Sequence, residues 1–429
     1  MNNKLRWWPL VGVAGLGMAL AGCGGSKDDS TGSTSLRLVN ATLTHPSLDL
    51  YISSSRAAAA IIADTASGYL APASGSLTLQ LTDPDASTAL TTTAPTLSAS
   101  AHYTLLAYES GGVVKTQLLG EDFSAPTSGT VQLRIFDAAP DAGKLDVYIT
   151  DAATDLATVT TATASFTTVT SFSALGPLTY SPGTYRVRVT GYGNKSDLRL
   201  DIPAVTLSNQ QAGNIVLTPA SGGVLLNGST LIQQGSYAAT RNTNARVRLA
   251  AAVSGNGMVA ASAGSSVIDA GSVAPKFGYY ALVPASSSLN ISVNGQSVSA
   301  PATALTAGSD ATLLVYGSAS AATATLIADD NRLPSDATTV KLRLINGMSS
   351  SVGALSLTAN AAPVGNGILA GAASGYVSVT GSLNAMNLSL TASLFPGALY
   401  TNTSNTLIAN TVYTVLAGGD ATAPQLLIR

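Results

Sequence analysis

One short pattern recurs four times along the chain and limits what it can fold into. "SLRLVNA" (Ser35 to Ala41), "QLRIFDA" (Gln132 to Ala138), "RVRLAAA" (Arg246 to Ala252) and "KLRLING" (Lys341 to Gly347) each set an arginine between two aliphatic residues. Arg37, Arg134, Arg248 and Arg343 follow one another at intervals of 97, 114 and 95 residues. Such a period is the size of a domain, not of a solenoid repeat. Other landmarks follow in the same order. An alternating stretch comes first: "SLTLQLT" from Ser76, "TYRVRVT" from Thr184, "SLNISVN" from Ser288 and "MNLSLTA" from Met386. A two-residue period of aliphatic and β-branched residues marks a strand with one buried face.

A more continuously apolar stretch follows: "HYTLLAY" from His102, "GNIVLTP" from Gly213, "DATLLVY" from Asp310 and "VYTVLAG" from Val412. Its fuller hydrophobicity predicts a central strand buried on both faces. A closing strand is read at "TQLLG", "GVLLN", "TLIAD" and "QLLIR". Clusters of Gly, Pro, Asn, Ser and Asp between these runs are turn chemistry. No segment shows a long helical period; the alanine run Ala57 to Ala63 is the one place a short helix is expected. The chain is therefore read as all-β, with four tandem β-sandwich modules of immunoglobulin-like build. They span residues 35–125, 130–235, 243–332 and 338–429. The Cys-Trp-Cys signature of antibody domains is absent.

The amino-terminal residues have a different character. Lys4 and Arg6 precede an uncharged run from Trp7 to Ala21, which ends in Leu20-Ala21-Gly22-Cys23. About fifteen apolar residues fall short of the roughly twenty that a membrane-spanning helix needs. A basic start, a short apolar core and small residues before a cut read as a secretory signal over residues 1–22. Leu-Ala-Gly-Cys resembles the bacterial lipobox. That resemblance implies cleavage before Cys23, a diacylglycerol thioether on its sulfur and a fatty acid on its new amino group. Several acyl chains make a durable anchor where one alone holds weakly. The expected location is the bacterial outer membrane, periplasmic or surface-facing, because Gly24 replaces the aspartate of the enteric inner-membrane retention signal. Residues 23–34 read as a flexible tether.

Cys23 is the chain's only cysteine, so no intramolecular disulfide can form and core packing must hold the modules. Only 10% of residues are charged. Loss of the signal takes the formal net charge from −2 to −4, and no basic stripe marks a nucleic-acid partner. The expected partners are the membrane, through the lipid, and an envelope protein or polysaccharide.

Modules one and two carry a further motif. "HPSLDLYI" (His45 to Ile52) and "APDAGKLDVYI" (Ala139 to Ile149) follow the arginine strand. Arginine strand, proline-bearing turn and Leu-Asp-Leu/Val-Tyr-Ile together resemble the bacterial "domain of unknown function 4397" family of secreted and lipid-anchored envelope proteins. In modules three and four, "MVAASAG" and "ALSLTAN" lack the Asp and Tyr. The resemblance implies a fold and a location, and no established activity. Read from the residues alone, a hairpin would set Arg37 across from Asp49 and Arg134 across from Asp146. Cross-strand pairs of this kind stabilise by roughly 0.2–1 kcal/mol. Tyr51 and Tyr148 are candidates for a ligand surface, with Tyr185, Tyr279 and Tyr280 as further platforms for stacking on sugars.

Catalytic chemistry has little to work with. Asp137, Asp141 and Asp146 surround a turn and carry oxygens suited to calcium, yet their spacing is not that of an EF-hand, so a solvated turn is expected. Two histidines, His45 and His102, are too few for a typical zinc site. No nucleophile elbow, dinucleotide fingerprint or phosphate loop occurs. The pairs Asp83/Asp85 and Asp329/Asp330 read as solvated boundary residues. The sequence thus predicts no enzyme, no metal and no cofactor: a structural, adhesive or protein-interaction role, with carbohydrate or other ligand binding as the alternative.

Overall fold

Each module must bury two kinds of alternating strand, and it does so between two sheets. The computed structural model describes residues 32–169 and 172–429. The signal, Cys23 and the expected tether as far as residue 31 lie outside the described residues; residues 32–34, also expected as tether, are instead part of the first module, where Ser33 bridges Ala73 and Thr34 is buried. The chain is all-β, and its strands form pairs of sheets in four successive units.

One sheet of each unit is built on the arginine strand: Ser35–Asn40, Val131–Asp137, Asn244–Ser254 and Thr339–Asn346. Beside it, in parallel, runs the buried strand: His102–Ser110, Ala212–Pro219, Asp310–Ser318 or Thr411–Asp420. The closing strand pairs antiparallel on the far side: Val113–Gly120, Leu226–Ile232, Ala321–Asp329 or Ala423–Ile428. In the second unit that strand starts three residues later than "GVLLN" suggested. The stretch left between the second and third expected modules, residues 236–242, contains a short strand, Tyr237–Thr240, that extends the same sheet.

The opposite sheet is centred on the motif strand: Ser47–Ile52, Leu145–Asp151, Met258–Ala263 or Leu355–Ala359. It pairs with the alternating strand on one side and an edge strand on the other. The arginine and motif strands are therefore not a hairpin, because they lie in facing sheets. The physical reason is burial. Leu36 and Leu38 on one strand and Leu48 and Leu50 on the other all belong to one core, which only facing sheets can enclose. The alanine run is also a strand, Ser55–Ile62, and not a helix. Pairing with the motif strand overrides the weak helical preference of alanine.

The arginine sheets carry a second apolar face, and these faces pack against one another. Val39, Leu106, Tyr108 and Leu119 of the first unit meet Ala138, Val216 and Leu231 of the second. Ala250, Ala252, Phe277 and Leu314 of the third meet Ile345 and Leu416 of the fourth. This is why the buried strands read as apolar on both faces: one side faces the module's own core and the other faces a neighbouring module.

The second seam depends on small residues. A Cβ on Gly347 would run into the Ala252 side chain across the seam and into the Ala417 carbonyl. Gly347→Val should therefore overpack the contact and cost about 1–3 kcal/mol. Thermal melting of the full chain should show the drop. An unchanged midpoint would mean that the seam has slack.

Candidate functional site: arginine centres in the module seams

Alternation sends the flanking aliphatic residues into the module core and the arginine out of the other face. In modules one, three and four that face is the seam, so Arg37, Arg248 and Arg343 are buried, each under 5% exposed. Burying a guanidinium is costly unless every donor finds an acceptor, and the parallel register supplies the first one. It sets Arg37 beside Thr104, Arg248 beside Thr312 and Arg343 beside Thr414. Each Nε donates to that threonine hydroxyl, at 2.9, 2.9 and 3.2 Å.

An aromatic face comes next. Tyr69, Tyr280 and Tyr376 stack on the three guanidinium groups at 4.8, 4.7 and 4.6 Å. They follow their arginines by 32, 32 and 33 residues. A cation over a desolvated ring gains about 2 kcal/mol, and less over a more exposed one such as Tyr69.

The acids come from the ends of closing strands. In the first seam, Glu121 accepts from Arg37 Nη2 at 3.0 Å, from Tyr69 Oη at 2.7 Å and from the Gln234 amide of the second module at 2.5 Å. Arg37 also donates across the seam to the Gly235 and Ile232 carbonyls, at 2.5 and 3.2 Å. In the second seam a single carboxylate, Asp329, serves both modules. It accepts from Arg343 Nη2, from the Tyr280 hydroxyl and from Thr312 Oγ1 at 2.6 Å. Arg248 Nε lies 3.6 Å from Oδ2, the oxygen that takes the Tyr280 and Thr312 hydroxyls. Arg248 Nη2 reaches Thr414 of the fourth module at 3.1 Å, and Arg343 Nη1 reaches the Ala328 carbonyl of the third at 2.8 Å. Asp329 was expected to be solvated; it is 4% exposed and is the hub of the seam. Burial and the neighbouring Asp329 charge hold the Tyr280 hydroxyl well above its ordinary pKa, so it stays a donor.

Module two departs from the pattern. Arg134 is half-buried, aligned with Asn214 in place of a threonine, and lies over the Phe123 ring at 3.4 Å. Desolvation lowers its pKa.

The expected pairs Arg37–Asp49 and Arg134–Asp146 do not form, because facing sheets separate them. Asp49 is 1% exposed and accepts from the Ala60 amide at 2.7 Å and from Arg56 Nη1 at 3.3 Å. Ala60 sits at φ 50° in a bulge of the edge strand, so Asp49 satisfies an amide that the bulge frees from the ladder. Asp146 is also buried, and accepts from Ser165 Oγ at 2.5 Å and from the Gly193 amide at 2.8 Å. The motif aspartates therefore pin backbone inside a module. The turn expected to be solvated is instead buried at Asp137 and Asp146.

The candidate ligand surface changes as well. Tyr148 is 3% exposed and cannot present a ring to a ligand; its counterpart Tyr51, in the motif strand of the first module, is half-buried. Of the further tyrosines, Tyr185 packs on the second core, Tyr280 stacks in the seam, and Tyr279 is exposed with Arg429 over its ring at 4.1 Å.

Both histidines are paired with an acid: His45 Nδ1 with Asp83 at 2.7 Å and His102 Nδ1 with Asp122 at 2.8 Å. A His–Asp pair orients a general base only if a nucleophile and a cleft complete it. Neither ring lines a cleft of about 390 Å³ where the first, second and third modules meet, whose charged walls are Glu109, Arg241 and Arg332. Those groups are themselves engaged: Glu109 accepts from the Leu43 and Thr44 amides, Arg241 donates to Asp64 and Arg332 to Asp330. Among the described residues no three acidic, His or Cys side chains gather to hold a metal.

The sequence could have revealed the centres. "SGY" stands at residues 67–69 and 374–376, and an acid pair ends the closing strand in modules one and three, "GED" and "ADD". Each signal is weak alone, and their meaning depends on which face they share with the arginine.

Comparison with known proteins agrees with the motif reading. The family described as "Domain of unknown function (DUF4397)" matches residues 34–148, which hold both copies of the Leu-Asp-Leu/Val-Tyr stretch. The chain thus carries a DUF4397-like domain in that segment. No curated protein matches. Among solved structures, a "putative cell adhesion protein from Bacteroides uniformis ATCC 8492" is 14% identical, with a TM-score of 0.20 over 48% of this chain and 99% of that one. A "multi-modular glycogen-degrading pneumococcal virulence factor SpuA" is 7% identical, with a TM-score of 0.16 over 62% of this chain and 37% of that one. The chain spans little more than a third of that second protein.

Asp329→Ala would strand two buried guanidinium groups and should cost about 3–5 kcal/mol. Arg134→Ala, at a half-exposed stack, should cost about 1 kcal/mol or less. Urea unfolding of the two variants measures the contrast, and equal losses would contradict the Asp329 hub.

Proposed function

We propose that the chain is a lipid-anchored protein of the bacterial cell envelope whose β-sandwich modules serve a structural, adhesive or protein-interaction role without catalysis. The observation that supports this most is where the recurring charged residues go. Arg37, Arg248, Arg343, Glu121 and Asp329 are spent inside the seams, binding modules into pairs. Polar groups that catalysis would need at a cleft are used to make stiff modular units instead. Units of this kind space or present surfaces, and Cys23 would tether them to the outer membrane through the residues that precede the first module.

Two experiments test the parts separately. Expressed in a bacterial host, the wild-type chain should take up a palmitate label and fractionate with the outer membrane, and Cys23→Ser should lose both. Membrane retention of the unlabelled variant would overturn the anchor. Incubated with envelope polysaccharide and with outer-membrane protein, the chain lacking residues 1–22 should co-sediment with one of them and leave both chemically intact. Release of a cleaved product would overturn the non-catalytic reading.

A further inference from the structure

Three residues after the arginine, modules one, two and four carry Asn40, Asp137 and Asn346. All three are buried, at 0%, 1% and 0% exposure. All three use Oδ1 in the same way, accepting from the backbone amide two residues on: Thr42 at 3.1 Å, Ala139 at 2.8 Å and Met348 at 3.0 Å. The asparagines have a second bond. Asn40 Nδ2 donates to the Ile61 carbonyl at 2.9 Å, and Asn346 Nδ2 to the Ile368 carbonyl at 2.8 Å. Asp137 puts an oxygen where these amides put a donor, and that Oδ2 has no partner.

The matching acceptor can be read from register. Ile61 pairs with Leu48, and Ile368 with Leu355, each at the start of a motif strand. The corresponding residue of module two is Leu145, and it pairs with Phe166. A carboxylate facing a carbonyl oxygen is repelled, whereas a carboxylic acid can donate to it.

We propose that Asp137 is held as a neutral carboxylic acid that donates to the Phe166 carbonyl, so that protonation fastens the turn beneath the first seam and ionisation loosens it. The turn is part of the seam, since Ala138 packs in the apolar contact between modules one and two. The titratable groups around Asp137 are Tyr108 on the buried strand of module one and Asp141 on the following turn, and Asp141 in turn faces Lys115, Asp330 and Arg332. Burial, and after it the Asp141 charge, push the Asp137 carboxyl up to about 6, against the opposing pull of the Ala139 amide. With the folded value above the unfolded one, the stabilisation is fully present below about pH 4. It is lost as the pH rises through about 6, and the folding constant falls by about a hundredfold in all.

The test compares the full chain with Asp137→Asn, which installs the amide of the sister modules. Thermal melting at about pH 4.5 and about pH 7.5 gives a difference of differences from which the other titrating groups cancel. The variant should melt higher than the wild type at the upper pH and hold a clearly smaller advantage at the lower. An equal offset at both pH values, or a variant less stable at the upper one, would overturn the proposal. Infrared spectroscopy of the wild type provides a reading that needs no variant. A protonated carboxyl band should be present at the lower pH and titrate near pH 6, and absence of such a band would also overturn it.

Discussion

A guanidinium buried between two sheets is the constraint on which the rest of this structure depends. Taken from water, its donors need acceptors at fixed positions, and the cost of leaving one unmet is several kcal/mol. Parallel pairing sets a threonine beside Arg37, Arg248 and Arg343 alike. A tyrosine covers the planar face, and an acid from a closing strand takes the remaining charge. Since some acceptors belong to the next module, the arginine is satisfied only when two modules meet in one register. Apolar contact drives the seam, and the arginine centre makes it specific.

The two seams solve the same problem differently. In the first, Glu121 neutralises one arginine, and the carbonyls of Ile232 and Gly235 complete it from across the boundary. In the second, Asp329 is shared by arginines of both modules. The small residues Ala252 and Gly347 let the sheets approach there. This accounts for Ala250 and Ala252 in the "RLAAAV" of module three: they face the fourth module and leave room for its sheet.

Part of this was legible in the sequence. The four-fold period, the strand alternation and the doubly buried third strand follow from side-chain period and hydrophobicity, and these are local properties. The motif resemblance to DUF4397 was legible too, and holds over residues 34–148. The arginine–aspartate pairs were misread because nearness in sequence suggested a hairpin, while core burial put the strands in opposite sheets. Asp329 was misread as solvated because a boundary acid pair looks the same whether it faces water or a second module. Tyr148 was read as surface because alternation tells which residues share a face and not what covers that face.

The sequence by itself determined the strands, their inward faces and the repeat, because each rests on the chemistry of a few neighbouring residues. Only the tertiary structure decided what lies against the outward faces. Whether Arg37, Arg248 and Arg343 meet water or another protein surface depends on groups of a neighbouring module, 14 to 198 residues distant along the chain. No local pattern encodes such a contact; it exists because docking two sheets removes water from an apolar face, and the charges on that face must then find one another.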